Sequence, residues 1–130
     1  MIDYTRMDTT TLAFVGDAVY EEYIREHVVQ RGTIKADRLH TQAVRYVNAG
    51  AQAEVMKALV DGLPETELNL VKRARNKKTN TKAKNASPMD YKWATAFEAL
   101  IGYYKLSGHI EEMEGLIRKA IDIIDGRVKS

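Results

Sequence analysis

Two acidic residues, Asp17 and Glu98, lie in stretches of sequence that are otherwise almost entirely apolar. Each stretch is typical of a buried helix, and a buried carboxylate is costly unless a cation, a metal or a catalytic task accounts for it. Gly16 precedes the first acid and Gly102 follows the second by one turn, and glycine inside a helix costs about 1 kcal/mol unless close packing requires it. We therefore expect the two acids to share one site, although a structural role for each is the alternative.

A pair of carboxylates suits a hard divalent cation such as Mg²⁺ or Mn²⁺. Such a cation lowers the pKa of bound water and neutralises charge on a phosphate under attack, so the pair predicts metal-assisted hydrolysis. The chain has no cysteine, and its histidines, His27, His40 and His109, show no metal-ligand spacing. This excludes a thiol nucleophile and a cysteine zinc site.

Residues 72–84 form a strongly basic segment that contains no acidic residue. They hold seven of the 20 basic residues, so the rest of the chain is net acidic although the formal net charge is +2. Such a patch is typical of a phosphate-binding surface, although a solvated loop is the alternative. The segment has no aromatic residue to stack unpaired bases, which favours a duplex ligand. The residues of this segment that we expect to contact the duplex are Lys72, Arg73, Arg75, Asn76, Lys77, Lys78, Lys82 and Lys84.

Apolar residues recur at three- and four-residue spacing, and no alternating pattern predicts a strand. We predict an all-α protein with six helices in one domain, residues 1–130, whose core covers about residues 8–125. Asp8, Asn48 and Ser87 are predicted to cap the first, third and fifth helices, and Pro64 to begin the fourth. That fourth helix is expected to end at about Arg75, with a mobile loop at residues 76–86 before the fifth.

The hydropathy of the chain gives no indication of a membrane protein. No apolar stretch approaches the roughly 18–20 residues that a span requires, and the N-terminal residues do not have the pattern of a signal peptide. We therefore expect a cytoplasmic location and no membrane partner.

Two motifs around the acids resemble those of the ribonuclease III family. The first is Phe-Val-Gly-Asp-Ala-Val at residues 14–19, and the second is Phe-Glu-Ala-Leu-Ile-Gly at residues 97–102. The compact, single-domain branch of this family, mini-ribonuclease III, is more similar still. It resembles the chain at residues 16–21, Gly-Asp-Ala-Val-Tyr-Glu, at residues 73–76, Arg-Ala-Arg-Asn, and at residues 96–103, Ala-Phe-Glu-Ala-Leu-Ile-Gly-Tyr.

The resemblance implies an all-α endonuclease domain that forms a homodimer and cuts double-stranded RNA with Mg²⁺, or alternatively Mn²⁺. It implies that Asp17 and Glu98 are catalytic, metal-binding carboxylates and that Phe14 lies at the dimer contact. It also implies products with 5′-phosphate and 3′-hydroxyl ends. For the compact branch it implies processing of the precursor of large-subunit (23S) ribosomal RNA, and whether a ribosomal protein takes part is open.

The chain departs from the wider family at three positions near the motifs. That family has glutamates at the positions of Thr10 and Ala13 and an aspartate at the position of Thr95, and the compact branch shares the uncharged residues at the last two. The number of bound metals is therefore open. We also expect no separate double-stranded-RNA-binding domain, so the basic segment is expected to supply much of the affinity.

Two further readings of the sequence stay open at this point. The first is a non-catalytic protein of the same fold that binds ribosomal RNA, and loss of the neighbouring acids favours it. The second is a helical adaptor whose basic segment binds acidic proteins. Retention of both Asp17 and Glu98 favours the endoribonuclease.

Overall fold

A computed structural model describes residues 1–32, 35–78 and 87–126. These residues form α-helices and two short 3₁₀-helices, Tyr4–Arg6 and Val60–Gly62, and the described ranges contain no strand. The all-α prediction is confirmed. The helices are α1 (Thr9–Gln30), α2 (Ala36–Val47), α3 (Ala49–Leu59), α4 (Glu65–Asn76), α5 (Pro88–Leu106) and α6 (Ile110–Ile124).

Short polar side chains begin three of these helices, as the sequence predicts. Asp8 accepts a hydrogen bond from the backbone N–H of Thr10 at 3.4 Å, and Asn48 accepts one from Ala51 at 2.9 Å. The hydroxyl of Ser87 accepts one from the backbone N–H of Asp90 at 3.0 Å. Each cap satisfies an N–H group that the first helical turn leaves without a partner.

Helix α4 ends at Asn76, one residue beyond the predicted end at about Arg75, so the first part of the basic segment is helical. Residues 72–76 belong to the last turns of α4, and residues 77–78 directly follow it. Basic side chains at this end of a helix interact favourably with its dipole. The remaining residues of the predicted loop, 79–86, lie outside the described ranges.

Helix α5 lies at the centre of the fold and contacts α1, α3, α4 and α6. Apart from Glu98, its middle is apolar, which is typical of a helix surrounded by others. Five of its residues are completely buried, namely Ala96, Phe97, Ala99, Leu100 and Ile101. Glu98 therefore projects from the most buried part of the chain.

Two glycines allow α1 and α5 to cross with their backbones in contact. A Cβ atom placed on Gly16 would overlap the carbonyl oxygen of Glu98 and lie 2.9 Å from the backbone nitrogen of Gly102. A Cβ on Gly102 would overlap the carbonyl oxygen of Leu12 and lie 3.1 Å from the nitrogen of Gly16. The prediction that close packing accounts for these glycines is confirmed, and the crossing brings Asp17 beside Glu98.

The aromatic residue Tyr20, three residues after Asp17, fixes this crossing against a third helix. Its ring packs edge-on against Phe97 of α5 with the ring centres 5.0 Å apart. Its hydroxyl donates a hydrogen bond to the carbonyl of Tyr46 in α2 at 3.1 Å. The ring of Tyr20 is thus packed in the core while its hydroxyl has a hydrogen-bond partner, as is usual for a buried tyrosine.

Candidate active site

Asp17 of α1 and Glu98 of α5 lie side by side in one cleft, close enough for the charge of Asp17 to act on Glu98. Glu98 is half-buried, whereas Asp17 is exposed. The expectation that both acids are buried was therefore wrong for Asp17. Apolar residues surround it in the sequence because α1 has its buried residues Ala13, Gly16 and Tyr20 on the side that faces α5, and Asp17 lies at the edge of that side.

The two acids line a cleft of about 310 Å³ between α1, α4 and α5. Thr10 and Phe14 of α1 lie on one wall of this cleft. Two lysines also line it, one at the end of α4 and one on α5. The lining residues are Thr10, Ala13, Phe14, Asp17, Ala74, Lys77, Tyr91, Lys92, Thr95 and Glu98. The cleft thus combines two carboxylates with two flanking cations.

The surroundings of Glu98 raise the pKa of its carboxyl to about 9. Burial is the largest cause, followed by the hydrogen bond and the charge of Asp17, whereas a hydrogen bond from Gln52 acts in the opposite direction. At neutral pH the pair therefore binds a proton when no other cation is present. A divalent cation held by Asp17 and Glu98 would replace this proton and stabilise both carboxylates in their charged form.

This donor set fits a magnesium-like ion. Within the described ranges, no group of three or more acidic or histidine side chains could hold a metal. The uncharged Thr10, Ala13 and Thr95 all line the cleft, so the three positions where the wider family has acids border this same site. Mg²⁺ is commonly bound by one or two carboxylates and completes its coordination with water and phosphate oxygens, so two acids suffice.

The basic residues predicted to contact RNA have different surroundings. The guanidinium of Arg73 donates to the carbonyls of Thr5 and Met7 at 3.0 and 2.9 Å, which fastens the N-terminal segment to α4. The guanidinium of Arg75 lies over the ring of Trp93, 5.1 Å from its centre. These contacts give both arginines a role within the fold, and their contact with RNA stays a prediction.

Lys77 is the member of the basic set that lines the acidic cleft. Its ammonium group contacts the carboxylate of Asp8 and the hydroxyl of Thr10, the latter at 2.8 Å. Lys72, Asn76 and Lys78 are exposed nearby, whereas Lys82 and Lys84 lie outside the described residues. A second cavity of about 440 Å³ adjoins this point and is lined by Arg6, Met7, Asp8, Thr9, Arg73, Asn76 and Lys77.

Sequence reasoning missed two basic residues of this surface, Lys92 in the cleft and Arg6 in the adjoining cavity. Neither lies in a basic run, so composition gives no signal for them.

Phe14 is 79% exposed at the rim of the cleft, one turn before Asp17. Such exposure is unusual for a large aromatic side chain, because burying one contributes strongly to stability. The structure thus places the residue predicted to lie at a dimer contact on the surface and next to the acidic pair.

Replacing Glu98 by glutamine is expected to stabilise the metal-free protein at alkaline pH. The folded-state pKa of about 9 lies above the ordinary value of 4.5, so the stability linked to protonated Glu98 is complete below pH 4.5 and is lost as the pH rises towards 9. The glutamine variant removes this loss. We expect its Tm in EDTA to exceed that of the wild type by about 5 °C at pH 8 and to equal it near pH 5. Equal melting temperatures at both pH values would contradict the assignment.

A family model described as Ribonuclease III domain matches residues 10–109, which include both acids and every residue that lines the cleft. The chain therefore belongs to the ribonuclease III family, and it is an endoribonuclease of a class that uses a divalent metal.

Within that family, the chain is similar to proteins named Mini-ribonuclease 3. The protein from Brevibacillus brevis is 50% identical over 115 residues, which cover 88% of this chain and 86% of the relative. The protein from Streptococcus pneumoniae is 40% identical, with coverage of 97% and 100%. The resemblance to the compact branch is thus confirmed.

A solved structure supports the fold. A crystal structure of a Fusobacterium nucleatum protein superposes with a TM-score of 0.86 at 33% identity, covering 93% of this chain and 99% of that one. In the described parts of the chain, no helix has the length and apolar character needed to cross a membrane.

Proposed function

We propose that this protein hydrolyses double-stranded RNA with Mg²⁺, for which Mn²⁺ can substitute, and that Asp17 and Glu98 are the catalytic carboxylates that hold the metal. The observation that carries the proposal is the pair itself, two carboxyl groups from distant parts of the chain that line one cleft together with Lys77 and Lys92. Repulsion between two acids is tolerated in a fold when a bound cation relieves it.

The acidic and the basic residues of the cleft would have different roles in hydrolysis. Asp17 and Glu98 would bind the cation, which supplies activation of a water molecule and neutralisation of charge on the phosphate. Lys77 and Lys92 lie on the walls of the same cleft, where ammonium groups can bind the phosphates next to the cleaved bond. Attack by water on phosphorus with the 3′ oxygen leaving gives a 5′-phosphate and a 3′-hydroxyl.

The surface around the cleft supports a duplex as the substrate. Lys77 connects the cleft with the cavity that contains Arg6 and Arg73, and Lys72 and Lys78 are exposed beside them. These cations can contact successive phosphates of a backbone, which position a helix without reading its sequence. The similarity to the compact branch supports the precursor of 23S ribosomal RNA as the physiological duplex, with a ribosomal protein bound to that RNA as a further partner.

Cleavage of labelled RNA tests this proposal. A duplex and its separated strands would be incubated with the protein in Mg²⁺, in Mn²⁺ and in EDTA, and the product ends identified. We expect the duplex alone to be cut, in either metal and not in EDTA, with 5′-phosphate ends. Binding of the duplex without cleavage in any metal would favour the non-catalytic RNA-binding protein instead.

Removing three lysines around the cleft is expected to weaken binding of every duplex. In Lys77→Ala/Lys78→Ala/Lys92→Ala, fewer counterions are released, and the slope of log affinity against log salt should flatten by roughly 2–3 units. KM should rise more than kcat falls, because the acids are retained. Arg73 is left in place because it fastens the N-terminal segment.

A matched variant carries the same change of charge on another part of the surface. Lys105, Arg118 and Lys119 are exposed at the end of α5 and on α6. Their triple alanine variant should bind duplex RNA with nearly the wild-type salt slope. Equal effects of the two triple variants would show that the lysines act only through net charge.

We also propose that the protein is a homodimer with Phe14 at the contact. An aromatic side chain that is 79% exposed in the monomer is typical of an interface anchor. Sedimentation should give twice the chain mass of 14.7 kDa for the wild type at micromolar concentration. Phe14→Glu should sediment as a monomer, whereas Val29→Glu, a change at another exposed apolar residue of the same helix, should remain dimeric. A monomeric wild type would refute the proposal.

A further inference from the structure

One carboxylate lies among the cations of the basic surface. Three cations line the second cavity, beside the acidic cleft, namely Arg6, Arg73 and Lys77. Asp8 is the only acid among the described residues that line it. A negative charge at this place repels the phosphates that the three cations attract, so it lowers the affinity of the surface for RNA. The presence of Asp8 therefore needs an explanation.

Capping of α1 does not require the charge of Asp8. Its side chain accepts a hydrogen bond from the backbone N–H of Thr10 at 3.4 Å, and an uncharged oxygen can accept the same bond. The chain itself shows this, because Asn48 and Ser87 begin α3 and α5 with neutral side chains. The negative charge of Asp8 therefore has to be explained by another contact.

That contact is an ion pair with Lys77. The ammonium group of Lys77 donates to the carboxylate of Asp8 and to the hydroxyl of Thr10, the latter at 2.8 Å. The surroundings lower the pKa of the Asp8 carboxyl, and the hydrogen bond from Lys77 is the largest cause, so Asp8 is charged at neutral pH. In this arrangement Asp8 compensates the charge of Lys77.

The ion pair lies at the boundary between the two recesses of the surface. Lys77 lines both the acidic cleft and the second cavity, whereas Asp8 lines only the cavity. The side chains of Lys77 and Asp8 are 42% and 55% exposed, so a phosphate can reach the ammonium group from solvent. Because water screens so exposed a pair, it contributes little to stability and can be exchanged for another anion.

We propose that the carboxylate of Asp8 competes with RNA phosphates for Lys77, so that a duplex has to displace it from the ammonium group in order to bind fully. This inference rests on the proposed function, in which Lys77 binds a phosphate next to the cleaved bond. The ammonium group has three N–H donors, so it can keep its hydrogen bond to Thr10 during the exchange. Asp8 thereby sets an upper limit on the affinity of this surface for RNA.

Asp8→Asn tests the proposal, because asparagine caps a helix as well as aspartate does and carries no charge. We expect its Kd for duplex RNA, measured in Ca²⁺ to suppress cleavage, to be about fivefold lower than that of the wild type. The slope of log affinity against log salt should become steeper by up to about 1 unit, because Lys77 is then free to neutralise one more phosphate. Asp8→Ser, a second neutral cap, should reproduce both changes.

Two comparisons separate competition for Lys77 from a general effect of charge. Asp37→Asn makes the same change at an exposed residue of α2 that lines neither recess, so it should leave the Kd for RNA nearly unchanged. In the Lys77→Ala background, Asp8→Asn should tighten binding by less than about twofold, because its effect depends on Lys77.

The single variants distinguish failure of this inference from failure of the proposed function. If Lys77→Ala alone leaves the Kd for duplex RNA unchanged, the proposed contact of Lys77 with phosphate is wrong. If Lys77→Ala weakens binding and Asp8→Asn does not tighten it, Asp8 does not compete with RNA. Equal tightening by Asp8→Asn with and without Lys77 would show that Asp8 only repels the duplex, which also overturns the inference.

Discussion

Replacing Asp17 by asparagine is expected to lower kcat/KM for duplex RNA at least about a thousandfold. The change keeps the shape of the side chain and removes one of the two charges that would hold the metal. A loss of about 4 kcal/mol in transition-state stabilisation corresponds to this factor. Cleavage of a labelled duplex under single-turnover conditions, over a range of Mg²⁺ concentrations, provides the measurement.

The structure predicts that this variant folds. Asp17 is exposed, so the core does not depend on it, and the neutral amide removes a charge that opposes ionisation of Glu98. Its Tm in EDTA should equal or exceed that of the wild type, and it should still bind the duplex.

The matched control is Glu22→Gln, which removes one exposed negative charge from the same helix at a position that does not line the cleft. It should cleave at the wild-type rate. Wild-type cleavage by Asp17→Asn would exclude this residue from the chemistry.

Replacing Gly16 by alanine is expected to destabilise the protein by about 3 kcal/mol or more. The added methyl group would overlap the carbonyl oxygen of Glu98, and a helix backbone cannot move aside as a flexible side chain can. Helices α1 and α5 must then separate, which moves Asp17 away from Glu98. Thermal unfolding measures the first effect. Cleavage by the fraction that remains folded should fall by about a hundredfold, because catalysis depends on the placement of the reacting groups within about 1 Å.

A second helical glycine provides the control for this substitution. Gly115 lies within α6, and nothing approaches within 4 Å of a Cβ atom placed on it. Gly115→Ala should therefore stabilise the protein by up to about 1 kcal/mol, the gain typical of an unhindered helix position. If Gly16→Ala unfolds at the same temperature as Gly115→Ala and cleaves normally, close contact of the two backbones is not required.

The helices and their caps could be predicted because their determinants are local. The 3.6-residue period and the short polar residues Asp8, Asn48 and Ser87 act over one or two turns, so they are readable without knowledge of the partners. The pairing of Asp17 with Glu98 could also be anticipated. Each has a glycine beside it or one turn away, and glycine within a helix indicates close approach.

Residues whose role depends on distant partners could not be predicted in the same way. Arg73 was grouped with the RNA-binding residues because it lies in a basic run, yet its guanidinium is bonded to carbonyls more than sixty residues earlier in the chain. Lys92 lies outside the basic run, and it joins the cleft only because α5 packs against α1 and α4.

The sequence by itself therefore determined the all-α fold, the capping residues that begin three of its helices, and the residue types that a metal-dependent nuclease requires. Tertiary structure decided that Asp17 is exposed while Glu98 is half-buried, and that burial and the neighbouring Asp17 raise the pKa of Glu98. The physical reason is that helix formation depends on neighbours within about four residues, whereas burial, desolvation and hydrogen bonding between helices depend on which surfaces the packing brings together.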